Sequence, residues 1–489
     1  MSDPSFAAQL AQVTAQRGDR PAVTLGEETV TYAELHRWTN RLARHLASLG
    51  VRPGDFVTIA EPNSIEFVAA TVACWKLGAT PQPVSARLPG RELEALIELA
   101  EPAAVVGVEH PDRPTVVRGF RPPEDLDDAD LPDAVAPAWK APTSGGSTGR
   151  PKLIVSGDPS VWQQGLIDRA QRLGAVPDGV MVMPGPLYHN GPFIWSMLTV
   201  LQGGHLVLLP RFDAEEVLRL VERHRGTAMY LVPTMMQRIW KLPEADRLAH
   251  DVSSLRTVWH LAAPCPAWLK EAWIDWLGAD VVWELYGGTE GQSSTELDGH
   301  EWLAHRGSVG RTVVGEIRIQ GPNGAVLPAG EVGEVWMRPT GRTTPPYRYI
   351  GAEAEAVDGW ECLGDVGWLD DDGYLYLADR RGDMILVGGA NVYPAEVEAA
   401  LGEHPAVRSC AVIGLPDDDL GNRVHAIVEA DRPVEASELA AFLAERLVRY
   451  KVPRTFELVD EPLRDDAGKV RRSALREQRL EIPDRAPGA

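Results

Sequence analysis

The chain is short of thiols, of positive charge and of long apolar runs, and each scarcity closes off a class of function. Four cysteines occur in 489 residues, Cys74, Cys265, Cys362 and Cys410, far apart and with no CxxC pair. That spacing argues against a disulfide framework or a thiolate metal centre and suits a reducing cytoplasm. Lysine and arginine number 48 against 70 aspartates and glutamates, a formal net charge of −22. So acidic a chain argues against nucleic acid or an anionic membrane as partner, and an anionic substrate would need a local cluster of cations. No apolar run reaches the roughly 18 residues that a spanning helix requires. The opening "MSDPSFAAQL" has no basic start ahead of an apolar core, so no signal peptide is expected. No internal repeat is visible. Oligomeric state is not readable, and a homodimer would be unsurprising.

What is present is ordinary for a globular protein: 44% hydrophobic and 24% charged residues. The length suggests about two to four domains or subdomains. "TYAELHRWTNRLARHLASLG" predicts a helix opened by a Thr31–Glu34 capping box, with apolar Leu35, Trp38, Leu42, Leu46 and Leu49 on one face and Gly50 as the stop. "DFVTIAE" reads as a strand and "SIEFVAATVACWKLG" as a buried helix. Residues 121–137, rich in Pro and Asp, read as a loop. "HLVLLP", "DAEEVLRLVERHR" and "AMYLVP" repeat the strand–helix–strand theme, which predicts parallel sheets covered by helices. From about Gly307 short alternating runs broken by Gly and Pro predict a small antiparallel barrel or sheet. After Arg380 the pattern strand, helix, strand, helix, strand predicts a separate α+β unit of about 100 residues. The tail "EIPDRAPGA" reads as disordered.

Four stretches carry chemistry. "TSGGSTGRPK", residues 143–152, packs three glycines and four hydroxyl residues ahead of a lysine. Such a loop turns backbone N–H groups toward one anion, while the hydroxyls and lysine add donors and charge. Alone it reads equally well as a linker. "WELYGGTEG", residues 283–291, offers a ring for adenine, a tight glycine turn, a hydroxyl for a phosphate and, in Glu290, an oxygen ligand for Mg²⁺; alone it is a strand end with a turn. "GDVGWLDDDGYLYLADRRGD" places Asp365 to accept from ribose hydroxyls, and its Asp370, Asp371 and Asp372 read as solvated carboxylates in a hairpin turn. "DDAGKVRRSAL" sets Lys469 after a glycine; alone, that is a surface lysine.

In this order the four resemble the adenylate-forming superfamily: acyl- and aryl-CoA synthetases, adenylation domains and beetle luciferases. The resemblance runs from "VTYAEL" to "GKVRR", nearly the whole chain. It implies an α/β fold: a large N-terminal domain, residues 1–380, with two helix-covered sheets and a small β-barrel, and a small mobile α+β C-terminal domain, residues 381–489, carrying Lys469 beyond a hinge at residues 380–383. It implies MgATP-dependent conversion of a carboxylic acid to acyl-AMP, then transfer of the acyl group to the thiol of CoA. By the same resemblance Thr143, Ser144, Gly145, Gly146, Ser147, Thr148, Gly149 and Lys152 hold the β- and γ-phosphates. Thr289 contacts the α-phosphate and Glu290 binds Mg²⁺. Ala263, Pro264, Tyr286 and Gly287 surround the adenine, and Asp365 and Arg380 hold the ribose. Lys469 bridges the carboxylate and the α-phosphate in the first half-reaction. His189 in "PLYHNGPF" stands between the acyl carboxylate and the thiol path, and Gly388, Gly389 and Asn391 in "VGGANVYPAEVE" line the pantetheine channel. Arg446, Arg449, Lys451 and Arg454, with no acid among them, read either as a CoA-phosphate patch or as a solvated helix end.

"AAPCP" and "EWLAHRGSVGR" look closest to bacterial ligases for fatty, bile-acid-like and other bulky apolar acids. Trp195, Met197, Met235 and Met236 read either as lining for such an acyl group or as core. Two departures stand out. Where the superfamily usually has Pro-Arg-Thr-x-x-Gly-Lys, this chain has "PLRDDAGK", so that Asp465 and Asp466 are set to pair with Lys469 or displace it. The hinge position is Gly382. Two other functions stay open at this point. One is an enzyme that performs a single half-reaction or serves a carrier-protein thiol. The other is a non-catalytic nucleotide- or acyl-binding protein.

Overall fold

A computed structural model describes residues 3–143, 152–417, 419–465 and 468–480. The capping box forms as expected. Glu34 Oε2 accepts from the Thr31 N–H at 2.8 Å and the Thr31 hydroxyl accepts from the Glu34 N–H at 3.3 Å, opening the helix Tyr32–Ser48. Gly50, at φ +105°, turns the chain out of it. The apolar stripe Leu35, Trp38, Leu42 and Leu46 is buried, and the mostly apolar helix Ile65–Lys76 is buried at every residue but Glu66.

Two parallel sheets take shape around these helices, as the alternating pattern implied. One has the order Thr80–Pro83, Phe56–Ile59, Ala104–Val106, Thr115–Val116. In the other, Val282–Gly287, Thr257–His260, Ala228–Leu231, Val180–Met183, His205–Leu208 and Pro21–Leu25 run parallel, with Glu28–Thr31 antiparallel at the edge. Phe6, Trp75, Trp139 and Phe193 pack as an aromatic knot between them, with ring centroids 4.8–6.4 Å apart.

Beyond Val282–Gly287 the second sheet continues antiparallel through Ser294–Asp298, Ser308–Val314, Tyr374–Arg380, Trp360–Leu369, Gly333–Arg338 and Glu316–Gln320. The expected barrel is therefore, among the described residues, an open wing: Glu316–Gln320 ends the ladder, paired with Gly333–Arg338. Trp360–Leu369 and Tyr374–Arg380 form the hairpin that "DDDG" indicated, with Gly373 at φ +80°. Asp370 is not a free solvated carboxylate, since it accepts from the Tyr374 N–H at 2.8 Å and the Tyr376 hydroxyl at 3.1 Å.

The C-terminal region has two more strands than the expected pattern, because the hairpins Ile385–Val387/Ala390–Val392 and Val407–Asp417/Gly421–Ala430 stand where single strands were expected. Val407–Asp417 and Gly421–Ala430 form one antiparallel hairpin between the helices Pro394–Gly402 and Ala436–Ala444, with Thr455–Val459 parallel beside it. Gly421, at φ +78°, closes the turn. Leu401, Val412, Val428 and Leu443 belong to a core separate from the main one. All four cysteines are free. No described helix is long and apolar enough to cross a membrane.

One charged pair lies inside the main core. Lys270, on the helix Ala267–Leu277, donates to Glu284 of Val282–Gly287 at 2.6 Å, and both side chains are buried. Burial pushes the Glu284 carboxyl up from its ordinary value, and Lys270 opposes the shift. Removing one partner strands a buried charge. Lys270→Met is expected to destabilise the protein by about 3–5 kcal/mol, with Lys270→Met/Glu284→Gln recovering part of it. Urea unfolding of the two variants checks this; a loss in Lys270→Met below about 1 kcal/mol would show that the pair is already solvated.

Candidate active site

The site grows from the C-terminal ends of the parallel strands, where open α/β sheets hold their ligands. The strand Val282–Gly287 and the turn after it deliver four candidates in nine residues. Tyr286 is the strand's penultimate residue, Gly287 ends it, and the turn that follows places Thr289 half-buried and Glu290 buried. A Cβ on Gly288 would lie 2.4 Å from Leu363 Cδ1, so a larger residue there would displace the Leu363 side chain.

Glu290 is held from two sides. Its Oε1 accepts from the Tyr349 hydroxyl at 2.6 Å and lies 3.8 Å from Lys152 Nζ, which sits 3.9 Å from the centroid of the Tyr349 ring. The strand Tyr347–Ile350 pairs antiparallel with Leu153–Ser156, and Leu153 is also bridged to Thr143. The two ends of the glycine-rich stretch, Thr143 and Lys152, are thus fixed beside Glu290. Ser144, Gly145, Gly146, Ser147, Thr148 and Gly149 lie outside the described residues. Lys140 is an unforeseen cation here. It is buried, and desolvation, with Arg169 adding repulsion, lowers its ammonium pKa to about 7 against the pull of Asp158 and Glu290.

A second group forms next to the first. The Tyr286 hydroxyl donates to Asp365 Oδ2 at 2.6 Å, and Arg380 Nε lies 3.3 Å from Asp365 Oδ1. Asp365 and Arg380 are cross-strand partners in the hairpin, which sets that spacing. Ala263 and Pro264 follow Ala262, a non-glycine residue at φ +73° in the bend after Thr257–His260. Such a conformation is uncommon for alanine and marks the loop as held in place.

The match to known families decides the assignment. The model described as "AMP-binding enzyme" matches residues 10–345, and "AMP-binding enzyme C-terminal domain" matches residues 396–469. The chain belongs to the AMP-binding enzyme family. It is 35% identical over 475 residues to a feruloyl-CoA synthase of an Amycolatopsis species, covering 93% of this chain and 95% of that one. It is 32% identical to a 3-[(3aS,4S,7aS)-7a-methyl-1,5-dioxo-octahydro-1H-inden-4-yl]propanoyl:CoA ligase of Rhodococcus jostii, covering 94% and 96%. Among solved structures it resembles the O-succinylbenzoate coenzyme A synthetase of Bacillus subtilis in complex with ATP and a magnesium ion. There the TM-score is 0.80 at 28% identity, over 97% and 100% of the two chains. The protein is an AMP-forming carboxylic acid–CoA ligase that uses ATP, Mg²⁺, CoA and a small-molecule acid.

For a member of this family the metal test is simple. Mg²⁺ keeps phosphate oxygens and water as most of its ligands and asks the protein for one or two carboxylates. Among the described residues no cluster of three metal-ligating side chains occurs. A single carboxylate, Glu290, stands beside the two ends of the glycine-rich stretch, which fits.

Lys469 reaches the same place from the C-terminal region. Its charge acts on His189, while Glu290, Arg380 and Asp465 act on it. The residue keeps a solvent-open surface yet is closely surrounded. Desolvation lowers its ammonium pKa, Arg380 adds to this, and Asp465 and Glu290 oppose it. Asp465 does not displace the lysine. Its Oδ1 accepts from the Lys469 backbone N–H at 2.9 Å and its own N–H donates to the Lys469 carbonyl at 3.0 Å, closing the turn that presents Lys469. Asp466 lies outside the described residues. Gly468, at φ +74°, packs where a Cβ would lie 2.4 Å from Thr234 Oγ1, so the turn docks on the helix Pro233–Trp240. Arg464 donates to the Gly468 carbonyl at 3.0 Å and to Glu398 at 3.1 Å. Glu398 also accepts from Arg472 at 2.8 Å, and Arg472 in turn donates to Asp383 at 2.9 Å.

His189 is the N-cap residue of the helix Asn190–Gln202, against the Tyr188 ring at 4.3 Å. Its Nε2 is buried without a hydrogen-bond partner, and burial, with Lys469 adding to it, lowers its pKa to about 3. It is a neutral imidazole at physiological pH.

Other candidates stay apart. Gly388 and Gly389, at φ +55° and +87°, form the two-residue turn of the hairpin Ile385–Val387/Ala390–Val392, with Asn391 opposite Leu386. No described contact joins them to Glu290 or Asp365. The basic segment is largely neutralised: Lys451 pairs with Glu396 at 2.6 Å, Arg446 with Glu403 at 2.9 Å and Arg454 with Asp417 at 3.4 Å. Met197, Met235 and Met236 are buried in the main core.

The Lys469 shift has a readable sign. A lowered folded pKa means that the charged lysine is lost, as pH rises, below its ordinary 10.5. ATP–pyrophosphate exchange should therefore fall on an alkaline limb that starts below that value. Asp465→Asn keeps an acceptor for the Lys469 N–H and removes the charge, so the limb should move to lower pH. A limb that stays in place in this variant would refute the arrangement.

Proposed function

We propose that the protein joins a bulky, largely apolar carboxylic acid to CoA by both half-reactions. Residues 1–380 would form the body, and residues 381–489 a unit that turns about residues 380–383. The observation that supports this most is the convergence of Lys152, Tyr349 and Glu290 with Tyr286, Asp365 and Arg380, and with Lys469 and His189. One group suits the phosphates, the second a nucleoside, and the third a carboxylate meeting the α-phosphate.

The chemistry needs that order. A free carboxylate does not acylate a thiol, because oxide is a poor leaving group. The carboxylate oxygen attacks the α-phosphorus, the bond to the β-phosphate oxygen breaks, and pyrophosphate leaves. Mg²⁺ bound at Glu290 would neutralise phosphate charge. Lys469 would draw together two anions that otherwise repel, with Thr289 donating to the α-phosphate and the stretch from Thr143 to Lys152 holding the leaving group. Tyr286 beside Ala263, Pro264 and Gly287 would pack the adenine, and Asp365 with Arg380 the ribose. Turning the C-terminal unit would then withdraw Lys469 and bring Gly388, Gly389 and Asn391 to line the thiol path. Neutral His189 would close the acyl side against that path. The thiolate adds to the acyl carbonyl, the bond to the phosphate oxygen breaks, and AMP leaves. The free thiols of the protein suit a reducing cytoplasm.

Bulk in the acid is supported by the ring-bearing acyl group for which the Rhodococcus relative is named and by the aromatic group of Trp195, Tyr230 and Trp259 on and beside Asn190–Gln202. The test is a panel of ring-bearing, long-chain and short acids, each supplied free with ATP and as its preformed acyl-adenylate, with acyl-CoA detected by mass spectrometry. Bulky acids should react in both forms and acetate in neither. Lys469→Ala should lose about 100-fold or more with free acid and ATP while retaining reaction from the adenylate. Preference for acetate would overturn the substrate reading; equal losses from both forms would overturn the role of Lys469.

A further inference from the structure

Buried polar atoms without partners are rare enough that each calls for a cause. Two lie together behind His189. Trp195 sits on the helix that His189 caps, six residues along, or about 9 Å of helix rise. Trp259 is the penultimate residue of Thr257–His260, just before the bend that carries Ala263 and Pro264. Their rings meet edge to face with centroids 6.0 Å apart, and Tyr230 packs on Trp195 at 5.2 Å. Tyr230 also packs against Gly191, two residues past His189, where a Cβ would lie 2.5 Å from its hydroxyl. Both tryptophans are 1% exposed, and both indole N–H groups lack an acceptor.

Ser196 and His260, next to the pair in sequence, also hold buried polar atoms without partners, whereas other tryptophans of the core find acceptors. Trp283, whose ring centroid is 5.2 Å from that of Trp259, donates to the Asp280 carbonyl at 3.0 Å, and the buried Trp75 donates to the Trp139 carbonyl at 2.8 Å. Orphaned indole N–H groups also occur at Trp38, Trp268 and Trp336, but among the described residues only Trp195 and Trp259 bring two of them into ring contact. An indole N–H is a donor and nothing else, so what is absent from this group is an acceptor.

We propose that Trp195 and Trp259 form a hydrogen-bond-donating end wall of the acyl site, so that the preferred acid carries an acceptor oxygen, a ring ketone or ether, at the end far from its carboxylate. The inference rests on the reading of the protein as a ligase for bulky acids and narrows it. An acid that is apolar throughout leaves both donors unpaired, as they are now. An acceptor oxygen at that end would give at least one of them a partner. Selectivity arises because a site built for such an oxygen penalises the analogue that lacks it.

The test uses two acids with one fused-ring skeleton, one bearing a distal ketone and the other a methylene, with kcat/KM for acyl-CoA formation measured for each. The unaltered protein should prefer the ketone by about tenfold or more. Trp195→Phe and Trp259→Phe keep an aromatic ring and remove the N–H. Each should lower the ketone acid's kcat/KM by a larger factor than the methylene acid's, so that the ratio between the two acids falls toward one. Equal rates for the two acids with the unaltered protein would overturn the inference whether or not the variants fold. So would a preference that survives in both variants. If short acids react and neither fused-ring acid does, the bulky-acid reading fails and the end wall with it. Conversion of both acids at equal rates removes the end wall alone.

Discussion

The site depends on one backbone ladder. The strand Val282–Gly287 pairs parallel with Thr257–His260 on one side and antiparallel with Ser294–Asp298 on the other. It is the seam where a doubly covered parallel sheet becomes an antiparallel wing. The parallel side supplies a helix-covered floor. The wing supplies Asp365 and Arg380, and its turn to one side lets Tyr286 reach Asp365. Glu284 on the same strand is locked from behind by Lys270. A shift of the strand by one residue would move Tyr286 to the opposite face and misplace Thr289 and Glu290 with it. Much of the main core therefore serves to fix the register of six residues.

An acidic protein that binds polyanions must concentrate its cations. Here Lys152, Arg380 and Lys469 converge on a cleft, while Lys140 is held behind it at a pKa near 7. Each lies near a carboxylate, Glu290, Asp365 or Asp465, that limits repulsion before the nucleotide arrives. The same economy explains Arg446, Lys451 and Arg454, which look like a free basic patch in one dimension and are occupied in three.

Local signals were legible where local physics decides. Thr31 with Glu34 opens a helix because the capping box needs only four residues, and Asp370 with Gly373 closes a hairpin for a similar reason. The order of Thr143, Glu290, Asp365 and Lys469 was legible as a family pattern. Tyr349 was not, because its place beside Glu290 comes from pairing Tyr347–Ile350 with Leu153–Ser156, nearly two hundred residues away. The wing resembled a barrel because alternation marks a half-buried strand and says nothing of whether the ladder closes. The hairpin Val407–Asp417/Gly421–Ala430 was hidden because its strands are buried too evenly to alternate. Of the two roles open to Asp465, its charge does act on Lys469, while its use as an acceptor for the Lys469 backbone N–H was not legible, because that depends on the turn it closes.

Glu398 accepts from Arg464 and Arg472, and Arg472 also reaches Asp383. Residues some eighty positions apart, one beside the turn that presents Lys469 and one at the start of the C-terminal region, are thereby strutted to the same helix. In mechanical terms this is a brace: one carboxylate that touches neither nucleotide nor acid ties the turn that presents Lys469 to the segment around Asp383, so any displacement of one would be felt by the other.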